Sequence, residues 1–215
     1  MIRKMLVIAA AVAMPVSVIA ATAGTASAGG PTVNASNYTV TCTGITAKAS
    51  FSPALTNAGS ASSPEVTKIK GSASSCTVTP TVGGTPVTIT GAKVSGTITN
   101  PTSTHTCGGL AMPSTETGAL TVKWKSTPKL SASSSVASPT SVMGAVGGDG
   151  HATFGISFSG VTGDFAGTDA GASSTNDAET TTTVTSILTT CAKGLKSINI
   201  TADTNAGAGP ALHLG

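Results

Sequence analysis

Residues 118–130, GALTVKWKSTPKL, alternate between apolar and polar side chains and contain the only tryptophan of the chain. Successive side chains of a β-strand point to opposite faces of a sheet. One face of this strand would carry Leu120, Val122 and Trp124, and the other Thr121, Lys123, Lys125 and Thr127. The alternation predicts a half-buried strand with Trp124 as a core aromatic and the lysines in solvent. A ligand-gripping surface built from Trp124 and its lysines is the less favoured alternative.

The same alternation recurs along the chain between turn signals such as VGGTP at 82–86. The predicted strands lie in 37–51, 64–80, 85–99, 118–127, 139–145, 151–160 and 196–201. Short strands with frequent turns and little helix predict an all-β protein, an antiparallel β-sandwich of Ig-like architecture whose topology stays open. The predicted organisation is a linker over 29–36, a single domain over 37–201 and a C-terminal tail over 202–215.

One segment departs from the strand pattern. In AETTTTVTSILTTCAKGLK (178–196) the apolar positions Val184, Ile187, Leu188, Cys191 and Leu195 follow helical spacing. Gly194 is placed to end a helix, whereas the four threonines at 180–183 favour extended backbone. The pattern predicts one short helix near 184–193.

The N-terminal residues have the order of a secretory signal peptide. Arg3 and Lys4 precede an apolar stretch, and the small residues Ala26-Ser27-Ala28 follow it. The stretch is short for a membrane-spanning helix and Pro15 interrupts it. We therefore expect residues 1–28 to be a signal peptide and the mature protein to be secreted, without a membrane span, and at most loosely associated with the cell envelope.

The low content of charged and aromatic residues bears on which classes of partner the protein could bind. Charged residues make up 9% of the 215 residues and aromatic residues 3%. Without Arg3 and Lys4 every remaining cation is a lysine, and the net charge of +3 falls to about +1. Nucleic-acid binding usually needs a concentrated basic surface, often with arginine, so it is not expected. Intrinsic disorder is disfavoured by the low net charge and the many β-branched residues.

Four cysteines, Cys42, Cys76, Cys107 and Cys191, follow the predicted signal peptide. An even number in an exported chain predicts two disulfides, and the absence of a close C-x₂-C pair disfavours a zinc site. Four cysteines allow three pairings. The nested pairing, Cys76–Cys107 with Cys42–Cys191, is slightly preferred, and the sequential pairing, Cys42–Cys76 with Cys107–Cys191, remains open.

No motif predicts a catalytic, cofactor-binding or metal-binding residue. His105, His151 and His213 are far apart, and no G-x-S-x-G motif is present. A calcium site at Asp164, Asp169, Asp177 and Glu179 lacks the EF-hand spacing. A glycosidase would need two carboxylates across a cleft, usually with aromatic sugar platforms, and aromatic residues are scarce here.

The chain resembles a group of small, four-Cys, β-rich exported proteins of actinobacterial type to which no biochemical role is assigned. The likeness lies in TCTGITAKASFSPALT, KIKGSASSCTV, HTCGGL, GALTVKWKST, GVTGDFAG and TTCAKGLKSINI, which occur in this order and include all four cysteines. It implies an envelope-associated or released β-rich domain and lends no catalytic residues.

These observations favour an exported noncatalytic module that binds a surface protein or a glycan. Binding residues usually lie in loops on a rigid scaffold, and this chain has long Ser-, Thr- and Gly-rich loops. A passive structural component of the envelope or matrix is the second hypothesis. The third is a secreted hydrolase whose triad forms only in the fold, with His151 as base and Asp149 or Asp164 orienting it.

Overall fold

A computed structural model describes residues 31–59, 64–80, 82–167, 174–205 and 208–215, so the predicted signal peptide lies outside the described residues. The strands are β1 (Thr32–Val33), β2 (Thr39–Leu55), β3 (Glu65–Thr79), β4 (Thr88–Asn100), β5 (Ser114–Thr115), β6 (Thr117–Thr127), β7 (Lys129–Leu130), β8 (Ser134–Val146), β9 (His151–Gly163), β10 (Ser174–Thr183), β11 (Leu195–Ala202) and β12 (Leu212–Leu214). A 3₁₀ helix, η1 (Cys107–Ala111), and an α-helix, α1 (Val184–Cys191), complete the elements. Within these ranges neither helix has the length and apolar character that a membrane span requires.

Eight long strands form one antiparallel sheet that closes on itself. The order is β2-β3-β4-β6-β8-β9-β10-β11, and β11 pairs with both β10 and β2. The predicted all-β, antiparallel, sandwich-like fold with one short helix is confirmed. Its topology, which the sequence left open, is an up-and-down order rather than the two Greek-key sheets of an immunoglobulin domain.

The pairing register places one set of side chains inside the closed sheet. One interior row crosses four neighbouring strands at Ala47, Gly71, Val94 and Val122. Ile200 of β11 lies opposite Ala47 and continues the row across the closing pair of strands. Gly71 is required there because a Cβ at this position would collide with the carbonyl oxygen of Thr46.

Trp124 is buried with the apolar residues of β6, as the alternation predicted, while Lys123 and Lys125 are exposed. Its ring contacts Phe165 edge to face, with 5.0 Å between ring centroids. The indole Nε1 donates a hydrogen bond of 2.8 Å to Ser135 Oγ, and Ser135 Oγ donates to the carbonyl oxygen of Asp164. Because β6 and β9 both end here, these side chains close one end of the sheet, which we call the closed end.

The two terminal segments of the predicted domain map require correction. β1, within the predicted linker at 29–36, pairs with β7, and Ala35 is fully buried. The predicted tail at 202–215 contains β12, which pairs with β2. Leu212 and Leu214 of β12 are buried, so this apolar pair is held in the sheet rather than in solvent.

The preferred nested pairing of the cysteines is wrong, because the structure joins Cys42 to Cys76 and Cys107 to Cys191. Cys42 and Cys76 lie directly opposite each other in the β2–β3 pair. The second disulfide joins η1 to the end of α1. Both connections depend on strand register and on how a loop folds over the sheet, which cysteine spacing does not reveal.

Candidate binding cavity

The interior of the closed sheet holds a cavity of about 600 Å³. The side chains that line its depth are apolar: Ile45, Ala47, Ala49, Phe51, Ile69, Val94, Ile98, Leu120, Val142, Phe154, Ile156, Phe158, Ala178, Ile198 and Ile200. An eight-stranded closed sheet has an interior just wide enough to be filled by side chains or to hold one small ligand. The alanines at 47, 49 and 178 are too small to fill it, so space remains.

The other end of the sheet forms the mouth of the cavity. Residues 101–116, which we call the mouth loop, connect β4 to β6 and contain η1 and β5. Leu110 and Met112 of this loop line the cavity together with Met143 of β8. Met112 and Met143 are 63% and 56% exposed, so the mouth has an accessible apolar rim of flexible side chains.

Two contacts fix the mouth loop over the sheet. A Cβ at Gly144 would come within 2.7 Å of the Leu110 carbonyl oxygen, so the glycine lets the loop lie directly on β8. The Cys107–Cys191 disulfide ties the same loop to α1.

Helix α1 begins at the predicted position, where the side chain of Thr183 accepts a hydrogen bond from Ser186 N. It ends near Gly194, whose φ is +86°. The prediction of a helix near 184–193 is confirmed.

Two carboxylates, Glu65 and Glu116, also line the cavity, and both lie at its mouth. Glu65 Oε2 accepts a hydrogen bond of 2.5 Å from Ser103 Oγ, and Glu116 Oε1 accepts one of 2.6 Å from Ser114 Oγ. Burial raises the pKa of Glu116, the Ser114 hydrogen bond lowers it, and repulsion by Glu65 raises it further. The mouth therefore presents two carboxyl groups, whose oxygens would accept hydrogen bonds from a donor group.

The residues of the predicted hydrolase alternative do not come together. His151 Nδ1 lies 2.5 Å from the Thr180 carbonyl oxygen, and Asp149 Oδ1 accepts from the backbone N–H of His151 rather than from its ring. Asp164 is buried at the closed end, whereas His151 begins β9 at the mouth end. His151 is the first residue of β9 and Asp164 follows the last, so the two side chains lie at opposite ends of that strand.

The acidic residues considered as a calcium site are likewise dispersed. Asp169 lies outside the described residues, and Asp164 is at the closed end. Asp177 Oδ2 accepts a hydrogen bond of 2.5 Å from Gly209 N, and Glu179 accepts from Thr204 and Asn205. In the part of the chain that the structure covers, no three His, Cys, Asp or Glu side chains gather as metal ligands would.

The remaining two histidines lie apart from each other. His105 is buried in the mouth loop, and His213 of β12 has its Nδ1 2.8 Å from Thr41 Oγ1.

The sequence did not predict the cavity or the position of Glu65 and Glu116 at its mouth. The available signal was alanine at separate interior positions, such as Ala47, Ala49 and Ala178, in a chain with few aromatic residues.

No family model matches this chain, and neither a curated protein nor a solved structure matches it. A fold alone does not specify a function. A concave, mainly apolar cavity with a few convergent polar groups is the feature that most often marks a small-molecule site.

Proposed function

We propose that this protein is an exported, noncatalytic module that binds a small ligand inside its closed sheet. The observation that carries the proposal is the cavity of about 600 Å³, lined in its depth by aliphatic side chains and phenylalanines. Ligand sites typically have volumes of about 300 to 1,000 Å³ and are mostly apolar. The ligand class that fits is a molecule with an apolar body about the size of a medium-chain hydrocarbon.

The polar part of the ligand would lie at the mouth. Glu65 and Glu116 already accept hydrogen bonds from serine hydroxyls, and each carboxylate can accept further ones. A carboxylate or phosphate head group would face two negative charges there. A hydroxyl or an amine head group would instead donate hydrogen bonds to Glu65 or Glu116, so alcohols and amines are the expected ligand class.

The proposal includes export of the protein. The N-terminal order of a basic pair, an apolar stretch and small residues supports a signal peptide. Two disulfides support an oxidising compartment, where such bonds persist. Outside the cell, a closed apolar interior would carry a sparingly soluble molecule through water.

Binding is tested with N-phenyl-1-naphthylamine, a neutral apolar dye whose emission rises in apolar surroundings. We expect saturable enhancement with a Kd in the micromolar range or below for the purified protein. Dodecylamine and dodecanol should displace the dye at concentrations about tenfold lower than dodecanoate. A tenfold difference needs about 1.4 kcal/mol, and two like charges 4 Å apart near a protein surface repel by up to about 4 kcal/mol. No enhancement at 10 µM protein would contradict the proposal.

A matched pair of variants locates the dye. Ala47→Phe places a ring in the cavity and should weaken dye binding at least tenfold. Ala119→Phe makes the same change on the exposed outer face of β6 and should leave binding unchanged. Urea midpoints and near-ultraviolet circular dichroism show whether both variants fold. Equal loss in the two folded variants would place the dye outside the cavity and overturn the proposal.

A further inference from the structure

Six exposed lysines lie on the outer face of four neighbouring strands. They are Lys48 of β2, Lys68 and Lys70 of β3, Lys93 of β4, and Lys123 and Lys125 of β6. We call this surface the lysine face. It holds six of the 11 Lys and Arg residues of the chain. Strand pairing thus gathers on one surface lysines that are scattered in the sequence.

The register sets lysine against lysine. Lys48 lies directly opposite Lys70, and Lys93 lies directly opposite Lys123. Like charges at directly opposite positions of an antiparallel pair destabilise the sheet. Such a local cost without a compensating contact is typical of a functional surface.

No carboxylate lies opposite these lysines in the paired strands. The residues opposite them, apart from the two lysine pairs, are Ser50, Ser72, Gly91, Ser95, Thr97, Ser134 and Asn199. The carboxylates Asp177 and Glu179 lie on β10, and β8, β9 and β10 contain no lysine. Six of the lysines are thus concentrated on one half of the closed sheet, and three neighbouring strands on the other half contain none.

We propose that the lysine face binds an anionic polysaccharide of the cell envelope. Adjacent strands lie about 4.8 Å apart, so the lysines form a dense and regular array of cations on an extended surface. Hydroxyl side chains lie among them, for example Thr46 and Ser72, whose oxygens are 3.2 Å apart. Lysines supply charge to sugar carboxylates, and the hydroxyls supply hydrogen-bond partners to sugar hydroxyls.

Other polyanions fit this surface less well. The aromatic residues of the four strands, Phe51 and Trp124, are buried, and the strands contain no arginine. Proteins that bind single-stranded nucleic acids stack the bases on exposed aromatic rings, and proteins that recognise base pairs favour arginine. Anionic membranes are usually bound with apolar side chains inserted beside the cations. None of the exposed large hydrophobic residues in the described part of the chain lies in these strands.

The test uses immobilised polygalacturonate, a uronic-acid polymer, with neutral dextran as the blank. We expect saturable binding at 50 mM salt that weakens at least tenfold by 200 mM, as counterion release requires when several cations engage a polyanion. The variant Lys48→Gln/Lys70→Gln/Lys93→Gln/Lys123→Gln should lose binding at least tenfold. The control Lys129→Gln/Lys193→Gln/Lys196→Gln removes three exposed lysines elsewhere and should lose less than threefold.

Stability measurements separate lost recognition from misfolding. The fourfold variant relieves both like-charge pairs, so its urea midpoint should equal or exceed that of the unaltered protein. Ala47→Phe should bind polygalacturonate normally, because the lysine face is independent of the cavity. The proposal would be overturned by absence of binding, by equal loss in the control variant, or by tighter binding to a single-stranded oligonucleotide or to phosphatidylglycerol vesicles.

Discussion

Trp124 shows how one residue organises the closed end. Its ring packs against Phe165, and its indole N–H reaches Ser135, whose hydroxyl donates in turn to the Asp164 carbonyl oxygen. Buried polar groups are usually satisfied in this way, because an unsatisfied one costs about 1 to 3 kcal/mol. The alternation of β6 was enough to place the ring inside, but it gave no indication of its partners. The hydroxyl comes from the start of β8, and the partner ring from the residues after β9.

Replacing Ser135 with alanine should lower the free energy of unfolding by about 1 to 3 kcal/mol, since the buried indole N–H then has no acceptor at that position. Urea titration followed by far-ultraviolet circular dichroism measures the change in both backgrounds, since Trp124→Phe removes the only tryptophan of the chain. In Trp124→Phe the donor is absent, and adding Ser135→Ala to that variant should cost clearly less. Equal costs in both backgrounds would mean that the hydrogen bond does not couple the two residues.

Phe165 has no exposed surface, and truncating it would leave a cavity at the closed end. Phe165→Ala should therefore lower the free energy of unfolding by about 3 to 5 kcal/mol. The fully exposed Val82 provides the control, because Val82→Ala should change the free energy of unfolding by less than about 0.5 kcal/mol. A small effect at Phe165 would mean that the ring does not pack as described.

Glu116 gives a pH dependence with a definite sign. Its folded-state pKa is raised, first by burial and further by repulsion from Glu65, so the unfolded chain ionises before the folded protein does. Burial raises the pKa of Asp164 too, against backbone hydrogen bonds that lower it. Both groups make stability fall as the pH rises from the ordinary carboxyl range through their raised pKa values.

In Glu116→Gln one of these ionisations is removed. The variant should match the unaltered protein near pH 3, where the carboxyl is protonated in both states, and should be more stable at pH 7. Urea midpoints across that range measure the difference. If Glu116→Gln matches the unaltered protein at pH 3 but is less stable than it at pH 7, the ionised carboxylate stabilises the fold and the expectation is wrong.

At the scale of elements, the mouth loop and α1 act as one unit through the Cys107–Cys191 disulfide. The helix could be predicted from its apolar spacing and glycine stop, since those signals are local. The contact between helix and loop could not, because it joins cysteines separated by 84 positions and depends on the end of the sheet at which each element lies. Strand β12 was predicted as part of a tail for a different reason: its three residues are too few to show the alternation that indicates a strand.

Removing this disulfide should loosen the mouth more than the sheet. Cys107→Ser/Cys191→Ser should lose up to about 4.5 kcal/mol of stability from loop-closure entropy and should exchange N-phenyl-1-naphthylamine several-fold faster. Cys42→Ser/Cys76→Ser is the matched control, because that disulfide joins paired positions of β2 and β3. It should lose up to about 4 kcal/mol without faster exchange. Stopped-flow dye release distinguishes the two; identical rates would mean that the mouth loop does not control access.

At the scale of the whole molecule, closure and charge segregation are collective properties of the register. Alternation showed which side chains face inward on each strand, and it correctly predicted an antiparallel all-β body. It could not show that β11 returns to β2, since strand order follows from long-range pairing. Neither the cavity nor the lysine face could be predicted before that order was known, because each draws on residues from at least four strands.

The segregated charge also predicts how stability depends on salt. Repulsion within the lysine face is between exposed groups, so added salt should screen it. Raising NaCl from 10 to 300 mM should increase the urea midpoint of the unaltered protein. In Lys48→Gln/Lys70→Gln, which removes one opposed pair, the increase should be smaller. A midpoint that falls with salt would indicate that attractive charge contacts outweigh this repulsion.

The return of β11 to β2 has a further consequence for solubility. High β-propensity and low charge, here only 9% charged residues, are two features of segments that assemble into fibrils. Exposed backbone at a strand margin is what recruits another molecule in such assembly. Here β2 and β11, the first and last long strands, pair with each other through their amide and carbonyl groups. The folded molecule therefore leaves no long unpaired strand in this sheet to which a second molecule could add.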